Sequence, residues 1–237
     1  MIQKNKIQLF LLHFSGGNCY SFQFLKPHVS LTFDFYPLEL PGRGKRIGEK
    51  LASNECETIK DLVSQIVSLR NKEPYLIFGH SMGATLGLKV TKRLEELGDP
   101  PQRFIASGNA GPGTGDCKRR SEMNDDDLKN ELRALGGVSE EMLNNDELFD
   151  FFSPIIKADF KILEESERLD PDFKLKSPIT AIMGDKEETS EKIENWRGFT
   201  AADFDFHHLP GHHFFIYDHP HTLAQIIKNS YDRSVVS

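Results

Sequence analysis

Ser81 stands in Gly79-His80-Ser81-Met82-Gly83, a G-x-S-x-G directly after the apolar run 75–78 and before a helical pattern. A strand that bends sharply into a helix at this spacing lifts the serine hydroxyl clear of the sheet edge and sets it at a helix N-terminus. Side chains at Gly79 or Gly83 would collide with neighbouring backbone, which is why glycine flanks the serine. The Met82 N–H, at the head of the helix, can then stabilise an oxyanion. A serine hydroxyl is a poor nucleophile at neutral pH, so the chemistry requires a base oriented by an acid.

Those partners are expected later in the chain, acid first and histidine second. Of nine histidines, His207, His208, His212, His213, His219 and His221 lie late enough. Leu209-Pro210-Gly211-His212-His213-Phe214-Phe215 follows the last strand on a Pro-Gly turn. His213 is favoured as base and His212 is the runner-up; the other four read as solvated or hydrogen-bonded loop residues. The run Gly184-Asp185-Lys186-Glu187-Glu188 closes the preceding strand. Either Glu187 or Asp185 could accept the histidine N–H, and Glu187 is favoured. A second oxyanion donor is expected in His13-Phe14-Ser15-Gly16-Gly17-Asn18, with the Ser15 N–H favoured over Phe14 and Gly16.

The elements that must position these groups follow from hydrophobic patterning. Strands are expected at 7–12, 33–38, 75–78, 103–107, 179–183 and 204–209. Ile59, Leu62, Val63, Ile66 and Val67 recur at helical spacing. Ala84, Leu86, Leu88, Val90 and Leu94 do the same in a helix ending near Gly98. Later helices are expected around 193–196 and 222–231. This alternation predicts an α/β fold with a mostly parallel sheet between two helical layers. The strand runs are almost continuously apolar, as burial on both faces requires.

About 70 residues separate Ser107 from Ile179, where a crossover needs about 12–25. Within them, Leu128, Leu132 and Leu135 form one stripe, and Met142 and Leu143 a patch. Leu148, Phe149, Phe151, Phe152, Ile155 and Ile156 form another. A helical subdomain inserted at about 117–169 is therefore expected within one domain spanning 1–237. Asp125-Asp126-Asp127 reads as a helix start rather than a metal site.

With 38% hydrophobic residues, 237 residues suffice for one large core. A net charge of −7 argues against a broad nucleic-acid footprint. No apolar run reaches the roughly 18–20 residues of a spanning helix, so no membrane insertion is expected. No small-residue cleavage site follows the first apolar run, so no signal peptide is expected. Cys19, Cys56 and Cys117 show neither zinc spacing nor a disulfide pattern, consistent with a cytoplasmic protein.

Several segments together resemble the type II, editing thioesterases of nonribosomal peptide and polyketide synthesis. They are 9–17 (LFLLHFSGG), 40–43 (LPGR), 79–83 (GHSMG), 157–160 (KADF), 184–187 (GDKE), 196–200 (WRGFT) and 209–215 (LPGHHFF). They occur in order over nearly the whole chain. The resemblance implies an α/β-hydrolase fold whose insertion is a lid. It implies hydrolysis of acyl thioesters from the phosphopantetheine arm of carrier proteins, clearing misprimed or stalled units. A monomer without a cofactor of its own is expected. The alternatives are a medium-chain acyl-ACP or acyl-CoA thioesterase, a carboxylic-ester hydrolase, and a catalytically silent small-molecule binding protein. The chain departs from the family at four positions. His13 stands where proline is usual, and Ser15 where alanine is usual. Glu187 aligns with a position where aspartate is usual, which keeps Asp185 in play. His212 falls at a usual glycine, which favours His213.

Two features carry paired expectations. Phe149, Phe152 and Ile156 either pack the insertion onto the domain or line an acyl channel gated by lid motion. Lys118-Arg119-Arg120 is either a solvated face or a contact for an acidic carrier protein or the pantetheine phosphate.

Overall fold

The computed structural model describes residues 6–116, 118–166, 169–170 and 172–236. Six strands form the sheet: β1 (Ile7–Leu12), β2 (Phe33–Pro37), β3 (Tyr75–His80), β4 (Arg103–Ser107), β5 (Ile179–Gly184) and β6 (Phe204–Leu209). All neighbours pair in parallel, in the order β2-β1-β3-β4-β5-β6. The order reverses at β1, so the crevice beyond the carboxyl ends of β1 and β3 is the place where such sheets bind ligands. Three strands have the expected bounds. β3 and β5 run on to His80 and Gly184, and β2 stops at Pro37. That proline lies on an edge strand, where a missing N–H costs no ladder bond.

In chain order the helices are α1 (Lys26–Val29), α2 (Glu55–Leu69) and α3 (Met82–Glu96), then α4 (Asp125–Leu135), α5 (Glu140–Asn144) and α6 (Asp146–Glu164), and finally α7 (Pro220–Val236). Residues 190–199 form a 3₁₀ helix. Successive strand residues point to opposite faces of the sheet and feed two cores. Phe10, Leu12, Ile77 and Phe104 pack with Leu62 of α2, Leu86 of α3 and Trp196. Leu9, Leu11, Phe78 and Ile182 pack with Phe22, Leu25, Leu223 and Ile227. The stripe expected on α2 narrows at one end, because Val67 is exposed while Leu62, Val63 and Ile66 are buried.

The surplus between β4 and β5 is the helical trio α4–α6, with its own core of Leu128, Leu132, Leu143, Phe149, Ile156 and Phe160. Cys117, where the insertion is expected to begin, lies outside the described residues. Asp125, Asp126 and Asp127 form the first turn of α4 behind the cap Asn124, whose side chain accepts from the Asp127 N–H. No cluster of three or more metal-ligating side chains is found among the described residues. Lys118 and Arg120 both pair with Glu131, and Arg119 with Glu122. Each cation of that run thus has a local counterion, as a solvated face would. Among the described residues no helix is long and apolar enough to cross a membrane.

Candidate active site

Ser81 links β3 to α3 in a conformation that few L-residues adopt, with φ +56° and ψ −113°. Such backbone costs on the order of 1–3 kcal/mol and persists only where its surroundings impose it. The surroundings here are close on both sides. A Cβ on Gly79 would overlap the Gly83 carbonyl, and one on Gly83 would overlap the carbonyl of Leu12 at the end of β1. The Ser81 N–H donates to the Ser107 carbonyl at 2.8 Å, fixing the bend against β4.

The Ser81 hydroxyl lies 2.9 Å from Nε2 of His213, and His213 Nδ1 lies 2.7 Å from Oε2 of Glu187. Serine, imidazole and carboxylate thus form one hydrogen-bonded line across 132 residues of sequence. Glu187 uses its other oxygen to accept the Gly184 N–H at 2.8 Å, which folds its side chain back over its own turn. Asp185 faces elsewhere: its Oδ1 accepts the Gly211 N–H at 2.8 Å. It braces the loop that carries His213 and does not meet the imidazole. A Cβ on Gly184 would overlap the carbonyls of Gly211 and His212, so this contact between the two loops requires glycine.

The remaining late histidines are separate from this line. His212 is exposed. His208 meets the Ser190 carbonyl, His219 the Pro210 carbonyl, and His207 pairs with Asp205. His221 lies edge-on to His28 with ring centroids 4.1 Å apart.

His80, the variable residue before the serine, has a role that the motif does not reveal. It is fully buried, 5.1 Å from the His213 ring centroid, with Nδ1 2.9 Å from the Ser107 hydroxyl. Burial, and then the proximity of His213, holds its pKa well below the usual histidine value. A neutral ring therefore packs beside His213.

The loop after β1 is tied to the insertion. The Gly16 N–H donates to Asp159 Oδ2 at 2.7 Å, so Gly16 drops out as an oxyanion donor and Ser15 and Phe14 remain. Asp159 is also gripped bidentately by Arg43 at 2.6 and 2.7 Å, and both side chains are buried. Sequence reasoning gave neither residue a role, although both lie in the resembling segments LPGR and KADF. His13, beside this pair, is buried, and its pKa is lowered to about 4 by burial and by Arg43.

Among the insertion residues singled out above, Phe149 and Ile156 are buried in its core and Phe152 is half-buried at the core's edge. Phe214 lies edge-to-face against His213, with centroids 5.1 Å apart, and its ring meets Gly137 of the α4–α5 connection.

Residues 7–231 match the family model of the thioesterase domain. The linear gramicidin dehydrogenase LgrE of Brevibacillus parabrevis is 29% identical over 237 residues, covering 97% of this chain and 89% of that protein. The crystal structure of ClbQ from the colibactin NRPS/PKS pathway superposes with a TM-score of 0.90 at 25% identity, covering 98% of this chain and 99% of that one. The type II thioesterase BorB from the borrelidin biosynthetic cluster superposes with a TM-score of 0.86 at 27% identity, over 97% and 94% of the two chains.

Proposed function

The chain belongs to the thioesterase domain family, and from that premise we propose that it hydrolyses acyl thioesters on the phosphopantetheine arm of carrier proteins, as an editing thioesterase of nonribosomal peptide or polyketide synthesis. The observation that carries the reading is the Ser81–His213–Glu187 hydrogen-bonded line at a strained strand–helix turn. ClbQ and BorB support the pathway class over medium-chain fatty-acyl substrates.

Ser81 Oγ attacks the thioester carbonyl carbon as its proton passes to His213 Nε2. Glu187 holds Nδ1 protonated and stabilises the imidazolium. The N–H groups of Met82 and Ser15 receive the developing oxyanion. The C–S bond breaks, and His213 returns its proton to the departing pantetheine thiolate. Water then attacks the acyl-Ser81 ester, with His213 again taking a proton, and the free acid leaves with the serine restored. No cofactor enters these steps; the pantetheine belongs to the substrate. The helices α4–α6 act as a lid over this site, and of Phe149, Phe152 and Ile156 only the half-buried Phe152 retains surface to meet an acyl chain.

The test compares acetyl-, aminoacyl- and medium-chain-loaded carrier proteins with matching oxygen esters. Thioester hydrolysis by the wild-type chain, reduced about 10⁴-fold or more in Ser81→Ala, is the expected result. Preference for the oxygen esters would instead identify a carboxylic-ester hydrolase. Failure of Ser81 to react with a fluorophosphonate would identify a silent binding protein.

A further inference from the structure

The oxyanion loop is held by α6. Gly16 donates its N–H to Asp159 Oδ2 at 2.7 Å, and its Cα lies so close to Ile156 that a side chain there would strike the isoleucine. Arg43 closes the node, with Nη1 2.6 Å from the same Asp159 oxygen and 3.4 Å from the Gly17 carbonyl. Two residues one helical turn apart on α6 thus grip the residue that follows Ser15. The ion pair spans 116 positions and is almost wholly desolvated, with side chains 4% and 0% exposed. A desolvated pair of this kind adds little net stability compared with apolar groups of the same size. Its geometry matters more, because it forces one loop conformation.

We propose that Asp159 is a positioning residue for catalysis: it fixes the Ser15 N–H as an oxyanion donor through Gly16, so that the oxyanion hole is complete only when α6 is seated. The proposal rests on the hydrolase reading above. Asp159 touches no reacting atom; it acts through the loop. Because Asp159 and Ile156 belong to the inserted helices, displacement of α6 releases the donor as well as uncovering the site. Acylation is thereby coupled to a seated α6.

The test uses two double variants of the full chain, both without the buried charges. Arg43→Met with Asp159→Asn keeps an acceptor for the Gly16 N–H; Arg43→Met with Asp159→Leu removes it. Ser81 is labelled with a fluorophosphonate, in which the Oγ–P bond forms, fluoride leaves, and His213 takes the proton. The phosphonyl oxygen uses the same oxyanion donors as an acyl substrate. The maximal labelling rate should fall about 10²-fold in the leucine variant and only a few-fold in the asparagine variant, with the half-saturating probe concentration unchanged in both. Hydrogen exchange of the Gly16 amide should accelerate in the leucine variant alone, and the two melting temperatures should agree within a few degrees. Equal labelling rates in the two variants, whether high or low, would overturn the positioning role, as would an unchanged Gly16 exchange rate. A wild-type chain that labels but leaves thioesters intact would sink the substrate reading alone. A wild-type Ser81 that does not label overturns both.

Discussion

Glu187 reaches His213 with one carboxylate oxygen at 2.7 Å while the other accepts the Gly184 N–H at 2.8 Å, so the acid is anchored at both ends. A glutamate side chain is one methylene longer than an aspartate, and the chain uses that length to curl back over its own turn. Asp185, two residues earlier, lies on the strand side of the same turn and holds Gly211 instead.

The two carboxylates should therefore separate cleanly under substitution. Glu187→Gln leaves a group of the same shape but favours the wrong imidazole tautomer, and kcat should fall by about 10³–10⁴. Asp185→Asn keeps an acceptor for Gly211 and should change kcat less than about 5-fold, because the imidazole contact is untouched. Steady-state hydrolysis of an acyl-pantetheine measures both, and the reverse ranking would make Asp185 the acid.

The strain at Ser81 predicts a trade between stability and activity. Both Ser81→Ala and Ser81→Gly remove the nucleophile, but only glycine adopts φ +56° without penalty. The glycine variant should be more stable than the alanine variant by about 1 kcal/mol, the strain relieved being partly offset by greater unfolded-chain entropy. Urea unfolding of the two inactive variants reads the difference directly. An alanine variant as stable as the glycine variant would mean that the turn is not strained.

The node at Arg43 and Asp159 explains why the fold was more legible than the site's support. Strands announce themselves by apolar runs of five or six residues, and the Ser81 turn by its glycines. His213 and Glu187 could be found because their distance from a strand end is set by the fold. Nothing in the spacing of Arg43 and Asp159 connects residues 116 positions apart, and each alone reads as an ordinary charge. His80 was hidden differently, since the motif leaves its position variable. On α6, Leu148 and Phe151 belong to the apolar run yet are 37% and 53% exposed, while Phe149, Ile155 and Ile156 are buried. A run that apolar does not reveal which of its faces the lid buries.

Acid should weaken the fold through His13. Its pKa is lowered to about 4 in the folded chain, against about 6.5 when unfolded. The unfolded state therefore binds the proton first as pH falls, so the stability contribution is complete above pH 6.5 and drains away towards pH 4. The linkage amounts to about 3 kcal/mol over that window. His80, also held below its usual value, acts in the same direction. His13→Asn keeps a donor near the Phe14 carbonyl, which His13 Nδ1 meets at 2.9 Å, and removes the titration. Unfolding free energies at pH 7 and 4.5 should diverge less in that variant than in the wild type; an unchanged difference would clear His13 of the effect.

The α4–α5 connection should prove coupled to Phe214, the neighbour of the base. Gly137 has φ +79°, and a Cβ there would enter the Phe214 ring at Cε2 and Cζ. Two costs are therefore superposed in Gly137→Ala. One is the backbone penalty of a side chain at positive φ, about 1 kcal/mol, which is independent of Phe214. The other is the collision with the ring, which exists only while the ring is present. Phe214 cannot retreat freely, because it lies edge-to-face on Phe14 at 4.8 Å and stacks on Tyr217 at 6.0 Å. In a double-mutant cycle, Gly137→Ala should destabilise the wild-type background by at least about 1 kcal/mol more than the Phe214→Ala background. Phe214 lies edge-to-face against His213 at 5.1 Å, so displacing its ring should also lower kcat, and Phe214→Ala should restore part of that loss. Additive free energies would mean that the connection does not rest on Phe214, and the insertion would then be joined to the base's loop by some other contact.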